Sequence, residues 1–303
     1  MQKKEKIIAV VGPTASGKSA LAVEIARLVG GEIISADSRQ VYTGLDIGTG
    51  KVTKREMKNV PHHLLDIMNP KHTMTVVQYE LLATTAIKDI LKRGKVPIIC
   101  GGTGFYIGAV LTNDSFPLVT PNLGLRKKLE KLPVEELFKK LQKLDPVRAK
   151  NIDAQNPRRI IRAIEVAEVL GSVPARTAHQ ERYDTLYIGL TLPKEELGAR
   201  ITARLLARMR RGMVAEARHL HNTGLSWKRM ESLGLEYRFL ARFLQNNISK
   251  EKMIELLEIV IRQYAKRQMV WFKRNKKIIW LDPCKPSLAL RVVKEFTKKT
   301  PAH

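Results

Sequence analysis

Cysteine and long hydrophobic runs are both scarce in this 303-residue chain. The two cysteines, Cys100 and Cys284, form no CxxC pair and lie in apolar segments, so we expect a reduced cytoplasmic protein without a zinc site. No apolar stretch approaches the ~18 residues that a membrane-spanning helix requires. The sequence therefore predicts neither export nor a membrane partner.

Acidic residues are also few in comparison with basic ones. The chain has 54 Lys and Arg against 29 Asp and Glu, which gives a net charge of +25. Most of this excess lies in residues 186–303, which hold 25 basic and 10 acidic side chains. Solubility does not require so large a charge, and the usual partner of such a chain is a polyanion. The composition favours nucleic acid, and with no signal for oligomers we expect a monomer.

The most specific local motif follows an apolar run at residues 7–11. Its letters match G-x-x-x-x-G-K-[ST] and are Gly12, Pro13, Thr14, Ala15, Ser16, Gly17, Lys18 and Ser19. An amphipathic helix is predicted directly after it, which is the context that this phosphate-binding motif needs. Backbone N–H groups and the Lys18 ammonium would bind phosphate oxygens, and the Ser19 hydroxyl would bind Mg²⁺. The motif predicts a diphosphate or triphosphate ligand.

Short β-branched runs alternate with helical periodicity along most of the chain. Strands are predicted at residues 7–11, 32–35, 63–67, 96–100, 186–192 and 278–281. Alternation of this kind is typical of an α/β fold, here a P-loop NTPase-like parallel sheet covered by helices. The pattern stops after the turn-rich segment 112–122. We therefore predict an inserted all-helical domain at 114–184, a core of residues 1–113 and 185–303, and basic C-terminal helices at 195–211 and 250–274.

Two polar clusters follow other predicted strands. Asp37 comes just after the strand 32–35, and Thr103 lies in a Gly-Gly-Thr-Gly turn after the strand 96–100. Ligands of open α/β sheets bind beyond the carboxyl ends of the strands, so both side chains should face the crevice that holds the 12–19 loop. A carboxylate there could act as a base. Taken singly, Asp37 could equally cap a helix, and the glycine-rich turn could be an ordinary one.

These motifs together resemble the bacterial tRNA dimethylallyltransferases, the isopentenyl-tRNA transferase family, over almost the whole chain. The matching stretches are residues 12–19, 37–42, 44–49, 60–66, 101–106, 156–162 and 266–272. The chain departs from the family pattern at Gly50, at Val52 and in the segment 233–237. The resemblance implies transfer of the dimethylallyl group of dimethylallyl diphosphate, the co-substrate, to N6 of the adenosine immediately 3′ of the anticodon, with Mg²⁺ as cofactor.

The resemblance also assigns roles to single residues. Asp37 would take the proton of N6, Thr103 would hold N6, and the 12–19 loop would bind the diphosphate leaving group. The residues implied to meet tRNA are Asp37, Ser38, Arg39, Gln40, Thr103, Arg126, Arg158, Arg159, Ile160, Ile161, Arg162, Lys266, Arg267 and Gln268. From helical spacing alone, Arg200 and Arg204 could either bind phosphate or form a solvated stripe. Trp271 and Phe272 are assigned to packing.

Two other functions are compatible with parts of this pattern. A small-molecule kinase would bind ATP at the same loop and place Asp37 against a substrate hydroxyl. A nonenzymatic RNA-binding protein could retain the loop as a folding element. The basic last third of the chain argues against the kinase, and the combination of the loop with Asp37 and Thr103 argues against the second alternative.

Overall fold

The computed structural model describes residues 4–113, 117, 119–174 and 180–298. The chain divides into two compact units, one formed by Met1–Thr112 with Glu181–His303 and the other by Asn113–Gln180. The predicted turn-rich segment 112–122 is only partly described, since 114–116 and 118, including the predicted domain start at 114, lie outside the described residues. The predicted domain limits themselves stay a prediction.

The first unit contains a parallel sheet, as the alternating pattern predicts. Within the described residues its strands are β1 (Lys6–Val11), β2 (Glu32–Ser35), β3 (His62–His63), β4 (Pro97–Gly101), β5 (Asp184–Leu190) and β6 (Ile279–Leu281). Their order across the sheet is β3-β2-β4-β1-β5-β6, and every pairing is parallel. β1 therefore lies between β4 and β5, and all strands end at the same edge.

Helices cover both faces of this sheet. Side chains of β1 alternate between two cores, with Ile7 and Ala9 in one and Ile8 and Val10 in the other. The first core includes α3 (Val76–Lys92), α4 (Gly104–Leu111), α9 (Lys194–Arg210), α10 (Met213–Asn222), α11 (Trp227–Leu233), α12 (Leu235–Leu244) and α13 (Lys250–Phe272). The second includes α1 (Lys18–Val29) and α14 (Pro286–Lys298), and the short α2 (Lys54–Met57) precedes β3. Among the described residues, no helix is both long enough and apolar enough to span a membrane.

Helix α13 shows how local sequence sets the burial of one face. Ser249 caps its start by accepting a hydrogen bond from the Lys252 N–H, which satisfies one of the free donors of a helix N-terminus. The buried residues recur every three or four positions and are Met253, Leu257, Ile261, Ala265, Gln268 and Phe272. This spacing forms one stripe along the helix. Gln268 is the polar member of that stripe.

The second unit is helical and has its own small core. It consists of α5 (Leu123–Leu129), α6 (Val134–Leu144), α7 (Pro146–Lys150) and α8 (Pro157–Leu170). Apolar residues of these helices form the core, among them Leu137, Leu141, Ile160 and Ile164. The Glu165 carboxylate is buried beside it and accepts two hydrogen bonds of 2.7 Å from the Arg126 guanidinium. A buried charge needs such a partner, so this pair is part of the unit's internal structure.

In the first unit, a loop before α2 is held by a carboxylate from α10. Glu216 accepts hydrogen bonds from the backbone N–H groups of Asp46, Ile47 and Gly48, at 3.0, 2.6 and 2.8 Å, and from the Tyr237 hydroxyl at 2.7 Å. One anion thus satisfies three consecutive backbone donors and a buried phenol. This arrangement fixes the loop that carries Thr49.

We expect Glu216→Ala to lower the free energy of unfolding by about 3 kcal/mol, because hydrogen bonds to a charged group are strong and their loss leaves buried donors unsatisfied. Denaturant unfolding followed by circular dichroism measures this change. Glu255→Ala is the control, since Glu255 is exposed on α13 and within the described residues it pairs with Lys252 alone. This substitution should change stability by less than about 0.5 kcal/mol. Equal effects of the two substitutions would contradict the anchoring role.

Candidate active site

A pocket opens where β1, β2 and β4 end. These strands are neighbours in the sheet, so the segments that follow them meet at one edge. Residues from all three segments and from the C-terminal helices line the pocket: Thr14, Lys18, Ser19, Asp37, Arg39, Gln40, Thr49, Cys100, Gly101, Gly102, Arg204, Leu235, Glu236, Ile261, Tyr264 and Gln268. The predicted convergence of the 12–19 loop, Asp37 and the Gly-Gly-Thr-Gly turn is thus present in the folded chain.

The chain ends of β2 and β4 are tied together directly. The Ala36 N–H donates to the Cys100 carbonyl at 2.8 Å, and the Thr103 N–H donates back to the Ala36 carbonyl at 3.1 Å. The backbones approach so closely that a Cβ on Gly101 would lie 2.1 Å from the Ala36 oxygen. The Ser38 N–H then reaches the Thr103 hydroxyl oxygen at 3.1 Å. These contacts place the segments that carry Asp37 and Thr103 side by side.

The two oxygens of the Asp37 carboxylate have different surroundings. Its Oδ1 accepts hydrogen bonds from the N–H groups of Arg39 at 2.8 Å and Gln40 at 3.3 Å, which stabilise the turn after β2. Within the described residues Oδ2 accepts no hydrogen bond, and Asp37 lines the pocket. Among the described residues no helix begins directly after Asp37, so the carboxylate caps a turn through Oδ1 and the helix-capping alternative was wrong. Oδ2 is left for the base role, which stays a prediction.

The 12–19 loop presents a cation and a hydroxyl to the pocket. Lys18 lies at the first turn of α1 and its ammonium donates to the Pro13 carbonyl at 2.5 Å. Desolvation of this partly buried side chain lowers the Lys18 pKa to about 8, although the nearby Asp37 carboxylate acts in the opposite direction. The first N–H groups of α1 have no acceptor within the helix. An anion in the pocket would therefore meet both a positive charge and free donors.

The oxygen donors at this place are suited to Mg²⁺. The Ser19 hydroxyl lines the pocket on the loop that would hold the diphosphate, and oxygen ligands are those that a hard cation prefers. Protein sites for Mg²⁺ commonly supply one or two such oxygens and leave the remaining positions to phosphate oxygens and water. The chemistry of this donor set fits the metal that the sequence predicts.

The C-terminal helices also line the pocket, and the sequence predicted only some of the residues that they contribute. Arg204 lines the pocket and donates to the Gly50 carbonyl at 2.8 Å, whereas Arg200 pairs with Glu196 at 2.8 Å. Tyr264 is a pocket residue that the sequence analysis missed. Burial raises its pKa to about 12, although the nearby Thr103 side chain acts in the opposite direction. Its spacing could have identified it, because Tyr264 lies four residues before Gln268 and residues four apart share a helix face.

The three residues of the segment 266–268 differ in their exposure to solvent. Lys266 and Arg267 are exposed, whereas Gln268 is only 6% exposed. Packing is confirmed for Phe272, which is buried, but Trp271 remains 38% exposed and meets Phe105 edge to face, with ring centroids 6.4 Å apart. A helix turns by about 100° per residue, so consecutive letters of a motif necessarily face different surroundings.

In the helical unit the predicted tRNA-binding residues also separate by burial. Ile160 and Ile161 belong to the unit's core, with exposures of 0% and 6%, so their side chains pack and we leave them out of the RNA surface. Arg162 donates to the Val119 carbonyl at 2.9 Å and lies near the buried Glu165, which also binds Arg126. Only Arg158 and Arg159 of this set are exposed at the start of α8.

Comparison with known proteins places this pocket in a family. The model of the IPP transferase family matches residues 40–275. A tRNA dimethylallyltransferase from Anoxybacillus flavithermus is 37% identical over 297 residues, which cover 96% of this chain and 95% of that protein. The chain belongs to the IPP transferase family.

Solved structures agree with this assignment. A tRNA delta(2)-isopentenylpyrophosphate transferase from Staphylococcus epidermidis has 36% sequence identity and a TM-score of 0.72, over 98% of this chain and all of that one. A eukaryotic dimethylallyltransferase acting on tRNA has 25% identity and a TM-score of 0.83, over 98% of this chain and 80% of that one. The α/β architecture is thus shared with transferases of this family from distant sources.

The lowered pKa of Lys18 leads to a test on inorganic diphosphate. In the free protein the ammonium loses its proton above pH 8, whereas a bound anion favours the charged form and raises the pKa. Binding then takes up a proton, and affinity must fall as the pH rises above about 8. Lys18→Arg keeps its charge throughout this range. The ratio of the wild-type to the K18R dissociation constant should rise about tenfold per pH unit above pH 8.

Isothermal titration calorimetry between pH 6.5 and 9.5 measures both dissociation constants. The comparison with K18R cancels the ionisation of diphosphate itself. Parallel pH profiles for the two proteins would show that Lys18 does not bind the anion through its charge.

Proposed function

We propose that the protein transfers the dimethylallyl group of dimethylallyl diphosphate to N6 of the adenosine immediately 3′ of the anticodon in tRNA. The observation that carries this proposal is that Asp37 lines one pocket with Lys18 and Ser19 of the 12–19 loop, while the Thr103 hydroxyl oxygen lies 3.1 Å from the N–H of Ser38, the residue next to Asp37. Membership of the IPP transferase family supports the same reaction, and we infer that it takes place in the cytoplasm, where tRNA is used.

The 12–19 loop would bind the diphosphate of the donor. When the allylic carbon–oxygen bond breaks, the diphosphate gains negative charge, and groups that bind this charge lower the barrier. Lys18 supplies a cation, and the first N–H groups of α1 supply oriented donors. Arg204 lies in the same pocket and is placed to add a second positive charge. Mg²⁺ held by Ser19 would supply further neutralisation of the phosphate oxygens.

Asp37 and Thr103 would act on the nucleophile. The lone pair of N6 is delocalised into the adenine ring, so nitrogen becomes a better nucleophile as it loses a proton. The carboxylate oxygen Oδ2 of Asp37 would accept that proton while the new nitrogen–carbon bond forms. The Thr103 oxygen already accepts the Ser38 N–H, and its second lone pair can accept a hydrogen bond from N6. Diphosphate leaves with the electrons of the broken carbon–oxygen bond.

The base must leave its stack to reach Asp37, because this side chain lines a pocket and is only partly exposed. Enzymes that act on a base extrude it and hold it in a closed site. Exposed cations would bind the RNA backbone during this step: Lys266 and Arg267 on α13, and Arg158 and Arg159 in the helical unit. Arg39 and Gln40, which line the pocket after β2, would meet the extruded nucleotide.

The deciding experiment follows the mass of an unmodified anticodon stem–loop RNA incubated with the protein and Mg²⁺. With dimethylallyl diphosphate we expect a gain of one dimethylallyl group per RNA, and with ATP we expect no gain. Family membership gives no support to the kinase alternative. That alternative would nevertheless be restored by phosphate release from ATP together with an unchanged RNA mass in the presence of the prenyl donor.

Asp37→Asn tests the proton acceptor in the same assay. The amide keeps an oxygen for the Arg39 and Gln40 N–H groups but cannot take a proton. We expect the single-turnover rate constant to fall about 10²-fold or more, the usual scale for a general base, with RNA affinity changed less than about threefold. Asp89→Asn, on the exposed surface of α3, is the control. A wild-type rate in Asp37→Asn would remove the base role.

Substitutions of arginines in the helical unit should have two different effects, one on RNA affinity and one on stability. Replacing Arg158 and Arg159 by Ala should weaken stem–loop binding and reduce the salt dependence by about 1.5 units in a log–log plot, as for two lost phosphate contacts. Thermal stability should not change. Arg126→Ala should instead destabilise the unit, because it leaves the buried Glu165 charge without its main partner. Unchanged RNA affinity in the double variant would exclude this surface from RNA binding.

A further inference from the structure

Gln268 makes two hydrogen bonds that join separate parts of the pocket. Its Oε1 accepts the Thr14 N–H at 2.8 Å, and its Nε2 donates to the Gly102 carbonyl at 2.9 Å. Thr14 belongs to the 12–19 loop after β1, and Gly102 directly precedes Thr103 after β4. One side-chain amide from α13 therefore connects the loop on the diphosphate side with the turn on the base side.

The chemistry of the two partners fixes the orientation of this amide. The Thr14 N–H can only donate and the Gly102 carbonyl can only accept, so oxygen must face the first and nitrogen the second. The site is also closely packed around the amide. A Cβ on Gly102 would lie 2.1 Å from Nε2, and Gln268 itself is 6% exposed. Neither a shorter side chain nor one with two acceptors can reproduce both contacts.

We propose that Gln268 is a positioning residue that sets the distance between the diphosphate-binding loop and the turn that carries Thr103. This inference rests on the proposed function, in which the leaving group lies on the first of these segments and the nucleophile on the second. It replaces the tRNA-contact role that the sequence pattern implies for Gln268, because both functional groups of its amide are engaged within the protein. Lys266 and Arg267 keep the RNA-facing role.

A displacement of either segment would misalign the nitrogen of the acceptor and the carbon of the donor. Reactions of bound groups depend steeply on this alignment, and small misplacements reduce the rate greatly. The Thr14 N–H, being already bonded to Gln268, is also withdrawn from the set of backbone donors available to the diphosphate. The role of Thr14 in this pocket is thus to hold the loop in place.

The test uses Gln268→Glu and Gln268→Met in the full-length protein. At pH 7.5 the Q268E carboxylate repels the Gly102 carbonyl, and Q268M offers no polar atom, so both single-turnover rate constants should fall about 10- to 100-fold. When the Glu is protonated its O–H can donate to Gly102, which restores the pattern of the amide. The ratio of the Q268E to the wild-type rate should therefore rise as the pH falls towards 5.5, whereas the Q268M ratio should stay constant.

Comparison with wild type at each pH removes the contribution of other titrating groups. Those that face the pocket from neighbouring elements are unchanged in the variants: Lys18, Asp37, Arg39, Cys100, Arg204, Glu236 and Tyr264. Gln142→Glu is the matched control, because Gln142 is exposed on α6 and does not line the pocket. It should show the wild-type rate at every pH. RNA affinity should change less than about twofold in all variants.

Other outcomes would overturn the inference. A higher RNA dissociation constant with an unchanged rate at saturating RNA would make Gln268 an RNA contact, and equal losses in Q268E and Q268M at every pH would make it a packing residue. If Q268E unfolds at neutral pH, its melting temperature relative to wild type must rise on acidification while that of Q268M does not.

Binding of inorganic diphosphate separates this inference from the proposed function. If wild type transfers no dimethylallyl group, the proposed function fails, but Gln268 still holds the 12–19 loop and Q268E should still bind diphosphate more weakly than wild type, with recovery at acidic pH. Diphosphate affinity that does not respond to Q268E would overturn the inference on its own.

Discussion

The junction between the ends of β2 and β4 is the constraint on which the candidate site depends. Two backbone hydrogen bonds join Ala36 to Cys100 and Thr103, and they are possible only because Gly101 has no side chain at the point of contact. A side chain there would push the strands apart and separate Asp37 from Thr103. The parallel sheet supplies neighbouring strand ends, but this close contact turns two loops into one site.

Helix α13 then closes the site from the other side. It contributes Ile261, Tyr264 and Gln268 to the pocket from one face and exposes Lys266 and Arg267 on another. The 3.6-residue period of the helix makes this division of roles possible within a single turn. In the proposed reaction this helix would connect RNA binding at the surface with the alignment of the reacting groups in the pocket.

The large positive charge of the chain has two different uses. Some cations are engaged inside the fold, as Arg126 is with the buried Glu165 and Arg208 with Glu236 and the Gly48 carbonyl. Others, such as Arg158 and Lys266, remain exposed and free to meet phosphate. Net charge alone indicates a polyanionic partner but does not distinguish these groups, because the distinction depends on which acidic side chains the fold brings near.

The sequence was sufficient to predict the α/β architecture and the meeting of three loop segments at one edge of the sheet. Buried β-branched runs predicted five of the six strands at nearly correct positions, since a fully covered parallel strand has a plain apolar pattern. The strand predicted at 63–67 was wrong in its extent: β3 is only His62–His63, because Leu64 and Asp66 have left-handed backbone conformations that end the strand. The 12–19 motif, Asp37 and Thr103 were predicted to meet because parallel strands must end at the same edge. Family membership, which the motifs implied, was confirmed by comparison.

Only the tertiary structure decided how individual side chains are used. Ile160 and Ile161 lie between exposed and paired arginines in the sequence, yet they belong to a core, and Gln268 stands next to two exposed cations, yet its amide is buried. Local patterns determine which elements form and where loops emerge. The environment of each side chain depends on contacts between residues far apart in the chain, as Gln268 shows by reaching Thr14 and Gly102, and such contacts exist only in the folded state.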